Sequence, residues 1–314
     1  MAIYKSSDAI GEREDLSDVI TRIDPDETPL FSNMEKVATK GITHEWQVQE
    51  LASAVDSNAN NEGADYSYVN PTATTRLGNV HQIFVQAGSV SNTLDVVDKA
   101  GRDRETAYVK VLKGIEQRRD IEKTLCASVA KSASDPRKFG TIETWISNVS
   151  SAGDATDITA FDGSATRTDG TTRALTLAMV DTVMQACYED GGNPDMLVVS
   201  PSKKATFSDL SSGSVVTNQL HMTANAPKEA VIIGSVSMYL TDFGTLNVVI
   251  DRQMQSDRVY LLDSEYLKMG ALPGRSFSVS DVAPTGDATK FAVVSEMTFV
   301  PQAPKSMGAV YDLS

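Results

Sequence analysis

The stretch from Gly41 to Asp98 constrains this chain more than any other, because it is polar, almost free of basic residues and built as strand, loop, strand. It opens with HEWQVQEL, where Trp46 and Val48 alternate with Glu45, Gln47 and Gln49 at strand period. A return strand is predicted from Leu77 to Val90. Between them, Ala52 to Arg76 has no Leu, Ile, Phe or Met and holds Asn58, Asn60, Asn61, Gly63, Asn70 and Pro71, which reads as loop with little surface of its own to bury. Two strands of about ten residues each would reach roughly 34 Å. A two-stranded arm without a core is marginal in water. Tyr66, Tyr68 and Val69 argue against a merely flexible loop, since such side chains serve where surfaces meet. The excursion is predicted to lie on another copy of the chain, which points to a self-assembling structural subunit rather than an enzyme.

A long charged helix follows at once, predicted over 102–131. Tyr108, Val111, Leu112, Ile115, Leu125, Cys126 and Val129 recur at helical spacing with no Pro among them. Roughly thirty residues make a rod of about 45 Å. Its middle, EQRRDIEK, sets Glu116 against Arg119 and Asp120 against Lys123 at i, i+3, as expected of a helix lying along a surface.

Charge links the two parts. From Gly41 to Asp98 the sole basic residue is Arg76, against Glu45, Glu50, Asp56, Glu62, Asp65, Asp95 and Asp98. The helix carries more base than acid, including Arg118 and Arg119. The acidic loop of one copy is therefore expected over the basic helix of the next, with complementarity fixing register more than strength. The interface candidates are Trp46, Glu62, Asp65, Tyr66, Tyr68, Arg76, Arg118 and Arg119. Reversal of Arg118 and Arg119 to Glu is expected to block assembly. A simple solvated face is the competing reading of the same charges.

Upstream, Leu16, Val19, Ile20 and Ile23 form a short apolar stripe that Asp24-Pro25 ends, and Pro29, Leu30 and Phe31 make an apolar knot in polar sequence. Leu30 and Phe31 would anchor an extended arm, or plug the core. The 314 residues, 41% hydrophobic and 22% charged, suffice for a real core. A net charge of -14 leaves no whole-chain basic footprint for nucleic acid or anionic membrane, so any DNA nearby is contained rather than gripped. Cys126 and Cys187 read as small buried hydrophobes in a reducing setting. The N-terminus shows no apolar signal region, and no apolar run is long enough to span a membrane.

Ser132 to Thr172 is rich in Ser, Ala, Gly, Thr and Asp and reads as connecting loop around Trp145 and Ile146. An α/β-like unit follows. Leu177, Val180, Met184 and Cys187 mark a helix closed by Gly191-Gly192, Met196 to Val199 a buried strand, and Ser200-Pro201 the capped start of another helix. Strand runs are predicted at Ala230–Ile233, Ser235–Thr241, Leu246–Ile250 and Arg258–Leu262, and KFAVVSEMTFV, Lys290 to Val300, is a late return strand beside the long helix.

This order of parts resembles the major capsid proteins of tailed bacteriophages, the Hong-Kong-97-like fold. The stretches DLSDVITRIDPDETPLFS, EWQVQEL, RLGNVHQIFVQAGSVSNT, IEQRRDIEKTL and GGNPDMLVVSP carry the resemblance, which runs along nearly the whole chain. It implies an α+β fold with an N-terminal arm (1–40), an extended β-hairpin loop (41–98), a peripheral domain with a spine helix (99–171), an inserted α/β axial domain (172–272) and a second peripheral part (273–314). It further implies hexamers and pentamers of an icosahedral shell around double-stranded DNA, a virion location, and assembly in the host bacterial cytoplasm. Separate portal and cement proteins are expected, and, since the sequence opens at the arm, a separate scaffolding protein. Some members of the fold join subunits by an isopeptide bond from a loop lysine. The loop here has no lysine, so a noncovalent shell is expected.

Enzyme chemistry is thinly represented. His44, His81 and His221 are far apart, with no His-x-x-x-His or Cys-x-x-Cys spacing, and VVSPS lacks the glycines of a nucleophile elbow. Asp24, Asp26 and Glu27 do not match a calcium loop. No catalytic residue, metal or cofactor is predicted. A nanocompartment shell of the same fold and an α/β hydrolase are the alternatives.

Overall fold

The computed structural model describes residues 25–66, 68–99, 104–210 and 237–314. Its first half contains helix α1 (Pro29–Asn33), strands β1 (Glu35–Ala38), β2 (Thr43–Val48), β3 (Thr75–Val80) and β4 (Gln82–Ser91), helices α2 (Asn92–Val96) and α3 (Glu105–Leu125), and strand β5 (Asn148–Ser150). Helix α4 (Leu177–Glu189) follows, then β6 (Met196–Val199), β7 (Met238–Thr241), β8 (Gly244–Ile250), β9 (Val259–Leu262), β10 (Leu267–Ala271), β11 (Ser278–Val282), β12 (Ala288–Pro301) and β13 (Gly308–Val310).

KFAVVSEMTFV lies inside β12, and the first sheet is built on that strand. On one side β12 pairs with β4 from Ala288 to Met297, and on the other with β11 and then β10; β1 completes the sheet beside β10. Strand alternation sends Phe84, Gln86, Phe291 and Val293 toward α3, which crosses that face. Gln117 of α3 seals the contact, donating from Nε2 to the carbonyls of Phe84 at 2.7 Å and Val293 at 3.1 Å, while Ser295 Oγ donates to Gln117 Oε1 at 3.2 Å. Ile121 and Leu125, fully buried, continue the seam into a core with Phe139, Ile142, Trp145 and Phe299.

The second sheet runs β5-β13-β9-β6-β8-β7. Its central strands, MLVV and VYLL, are buried on both faces, as continuous apolar runs in a covered sheet should be. Helix α4 buries Val180, Val183, Met184 and Cys187 against it, and residues 201–210 are helical as expected, with Lys203 N donating to Ser200 Oγ at 3.4 Å.

Several expectations need correction. Among the described residues the spine helix covers Glu105–Leu125, a rod of about 32 Å, and its expected continuation over 126–131 is not helical. It stops because the following chain turns to a fixed partner: Val129 N donates to Thr141 Oγ1 at 3.2 Å and Thr141 N to Val129 O at 3.1 Å. The strand expected from Leu77 to Val90 is two strands. His81 divides them: it is fully buried, with Nε2 2.7 Å from Thr39 Oγ1 and its backbone N donating to Ile42 O at 2.8 Å. Only β3 pairs with β2, so each hairpin strand is six residues, about 20 Å. The sheets also divide the chain differently from the 172–272 insertion, since β10 joins the first sheet while β5 and β13 join the second. The predicted helix at Leu16–Ile23, the strand at Ala230–Ile233, Arg102 and His221 lie outside the described residues. The strand expected at Ser235–Thr241 is described as Met238–Thr241.

Candidate assembly surface

The hairpin is tied down at its base and free at its tip. Trp46 packs 5.4 Å from Trp145, ring to ring, and so belongs to its own chain's core rather than to open surface. Asn79, fully buried, donates to the carbonyls of Gly140 at 3.0 Å and Phe299 at 2.8 Å and accepts from Gly140 N at 2.8 Å. Lys131 Nζ reaches Gly78 O at 3.1 Å. Beyond Val48 the contacts thin to polar ones at the neck, such as Gln49 Nε2 to Thr72 O at 3.2 Å and the exposed Lys305–Glu50 pair at 2.9 Å. Leu51, Tyr66, Tyr68 and Val69 are 96%, 80%, 92% and 87% exposed, and Glu62 and Asp65 stand in the open beside them. Arg76 pairs with Glu45 across the hairpin at 3.5 Å, both groups largely in solvent.

The basic helix is already engaged within the chain. Lys110 pairs with Asp281 at 3.2 Å, Lys113 with Glu116 at 2.6 Å, and the Arg118 guanidinium lies 5.5 Å above the Phe277 ring. Arg119 is half-buried. The expected Glu116–Arg119 and Asp120–Lys123 pairs give way to Lys113–Glu116 and to Gln86 Nε2 donating to Asp120 Oδ2 at 2.5 Å. Of the apolar stripe, Tyr108, Leu112 and Ile115 are half-buried and Leu125 and Cys126 buried, while Val111 is 62% exposed.

Leu30 and Phe31 are buried as a plug, and a carboxylate holds them there. Leu30 N donates to Glu122 Oε1 at 2.7 Å and Phe31 N to Glu122 Oε2 at 2.8 Å, which joins α1 to the spine helix. Burial raises the Glu122 carboxyl to about 7; the two amide bonds oppose that shift and the nearby Asp251 charge reinforces it. Asp251 is itself raised by burial and accepts from Cys126 Sγ at 3.1 Å. A second charged network escaped the sequence reading. Arg167 forks onto Asp312 at 2.8 and 3.0 Å and stacks 4.2 Å over Tyr311, while Arg258 pairs with the buried Glu143. It ties the polar Ser132–Thr172 segment to Tyr311 and Asp312, which follow β13, and to Arg258 beside β9. Among the described residues no cluster of three His, Cys, Asp or Glu side chains is placed to hold a metal.

The sequence matches the SU10 major capsid protein family over residues 3–314. The chain belongs to that family. It is a major capsid protein, a structural component of a phage virion that assembles from copies of itself, and not an enzyme. The major capsid protein of Escherichia phage Phieco32 is 24% identical over 98% of this chain and 96% of its own length. The solved Cyanophage A-1(L) capsid asymmetric unit shares the fold at a TM-score of 0.64 and 13% identity, covering 96% of this capsid protein and 97% of that chain. The SrpI encapsulin of Synechococcus elongatus PCC 7942 is similar at a TM-score of 0.55 and 10% identity, over 94% and 92% of the two chains. The α+β, Hong-Kong-97-like fold expected from the order of parts is thus the fold of this capsid protein, and an encapsulin shares it.

Proposed function

We propose that this capsid protein forms the hexamers and pentamers of an icosahedral shell that encloses the double-stranded DNA of a tailed phage, assembled in the host bacterial cytoplasm. The observation that carries the reading is the loop of residues 49–74, whose apolar side chains meet no surface of their own chain. The sheet centred on β6 and β9 serves as the axial unit toward the capsomer centre, and the sheet on β12 with α3 as the peripheral one. A net charge of -14 supports a container that does not grip the phosphate backbone. The lysine-free loop supports a noncovalent shell, for which we propose a cement protein alongside separate scaffolding and portal proteins. The solved Phage G assembly, a relative in fold, combines major capsid proteins with decoration proteins.

Electron microscopy and sedimentation of the expressed chain test the reading. Closed or partial shells are expected, closing normally only with a scaffold present. Nuclease-protected DNA inside particles from infected cells separates a phage capsid from a protein-filled compartment. A chain that stays a 33.7 kDa monomer overturns the proposal.

A further inference from the structure

Two carboxylates meet where the arm, the spine helix and the second sheet join, and no cation answers them. Glu122 stands on α3 and Asp251 directly follows β8; both are fully buried and lie within hydrogen-bond reach of each other. Their oxygens already serve three elements. Glu122 takes the amides of Leu30 and Phe31 from α1, whose residues PLFSN bring no titratable side chain. Asp251 accepts from Gln253 N at 2.8 Å and from Cys126 Sγ at 3.1 Å, and its own amide donates to Val199 O of β6 at 3.0 Å. The cations around the junction are committed elsewhere: Arg258 to Glu143 and to Asp257 at 2.8 Å, Arg252 to Glu27 at 3.6 Å, and Lys36 of β1 to the Phe31 ring at 4.7 Å. Cys126 and Tyr260, which also face the junction, are pushed up by burial and stay neutral. Among the described residues no Lys or Arg pairs with Glu122 or Asp251.

Two adjoining buried carboxyls without a cation cannot both ionise at small cost, so one proton is held between them. We propose that Glu122 and Asp251, joined through that shared proton, form a latch that fixes α1 to the spine helix and releases it when the proton is lost. With the proton in place, the O–H of one carboxyl donates to the other and closes α3 onto the end of β8, while Glu122 keeps both α1 amides. Without it, two like charges face each other in a dry junction. Water must then enter, and α1, five residues long and the smallest element there, is the part that yields. The sign follows from burial, which raises both carboxyls, Glu122 to about 7. The docked arm therefore holds its proton in acid and sheds it as pH rises through neutrality. Opening is local, because β6 and β9 pair along their length without these carboxyls. A change of pH near neutrality thus frees the arm of the capsid protein without unfolding its sheets.

The test is amide hydrogen exchange of the full chain between about pH 6 and about pH 8.5, with each rate divided by that of the unstructured peptide at the same pH. The amides of Leu30 and Phe31 are the direct reporters, since they are the donors that Glu122 holds. Their protection should fall at least tenfold across the interval, while Leu197 and Val198 in β6 keep theirs within twofold. Asp251→Asn removes the opposing charge and should hold the Leu30 and Phe31 protection constant within twofold; Glu122→Gln, which cannot ionise, should do the same. Constant protection in the unsubstituted chain, an equal loss in β6, or a fall that persists in either folded variant overturns the latch. Each variant suffices if the other fails to fold, and the unsubstituted chain can refute the proposal without them.

Discussion

Glu122 shows how a single side chain couples the arm to the spine. Its two oxygens meet the amides of Leu30 and Phe31, and its carboxyl is raised from 4.5 to about 7, chiefly by burial. The folded state then holds the proton more tightly than the unfolded state. Glu122 therefore contributes its full stability below pH 4.5 and loses it as pH climbs through about 7. The unfolding midpoint should decline across that window, and Glu122→Gln should flatten the decline in part, with Asp251 supplying the remainder. An unaltered slope in the variant would assign the pH response to other groups. Gln also gives up one carboxylate acceptor, at about 1 kcal/mol. The Leu30–Phe31 knot was legible in the sequence because apolar residues in a polar run need a pocket. Glu122 was not, since a charge among EQRRDIEK reads as solvated and its partners lie 91 and 92 residues away. The Arg167–Asp312 fork was hidden for the same reason.

Among the elements, α3 depends on Gln117 as much as on Ile121 and Leu125. Its amide spans the carbonyls of Phe84 and Val293, on neighbouring strands, from a fully buried position. Gln117→Leu leaves both carbonyls without that donor and should destabilise the chain by about 1–3 kcal/mol in denaturant titration; a neutral result would show that the helix needs only apolar contact. Gly163 sits at φ +81°, where an added Cβ would come 2.6 Å from Trp145 Cζ2. Gly163→Ala should therefore cost about 1–3 kcal/mol, read the same way. Strand period and helical spacing located β2, β6, β8, β9, β12, α3 and α4 from the sequence. They did not reveal the break at His81, which rests on a bond to Thr39, or the transfer of β10 to the first sheet, because strand partnership is a long-range property that local periodicity does not carry.

For the whole molecule, the hairpin divides into a base that its own body stabilises and a tip that it does not. The sequence anticipated a loop needing a neighbour but placed Trp46 at the interface, whereas Trp46 rests on Trp145. An isolated aromatic in a strand does not disclose which copy supplies its pocket. Because the loop has no lysine, purified shells should run as a single 33.7 kDa band on a denaturing gel; a covalent ladder would refute the noncovalent account. The most direct measurement is an electron cryomicroscopy map of the assembled particle with the loop traced. The account predicts residues 49–74 of one copy lying on the surface of another. A loop folded onto its own subunit, or left without any neighbour in a closed shell, would contradict it.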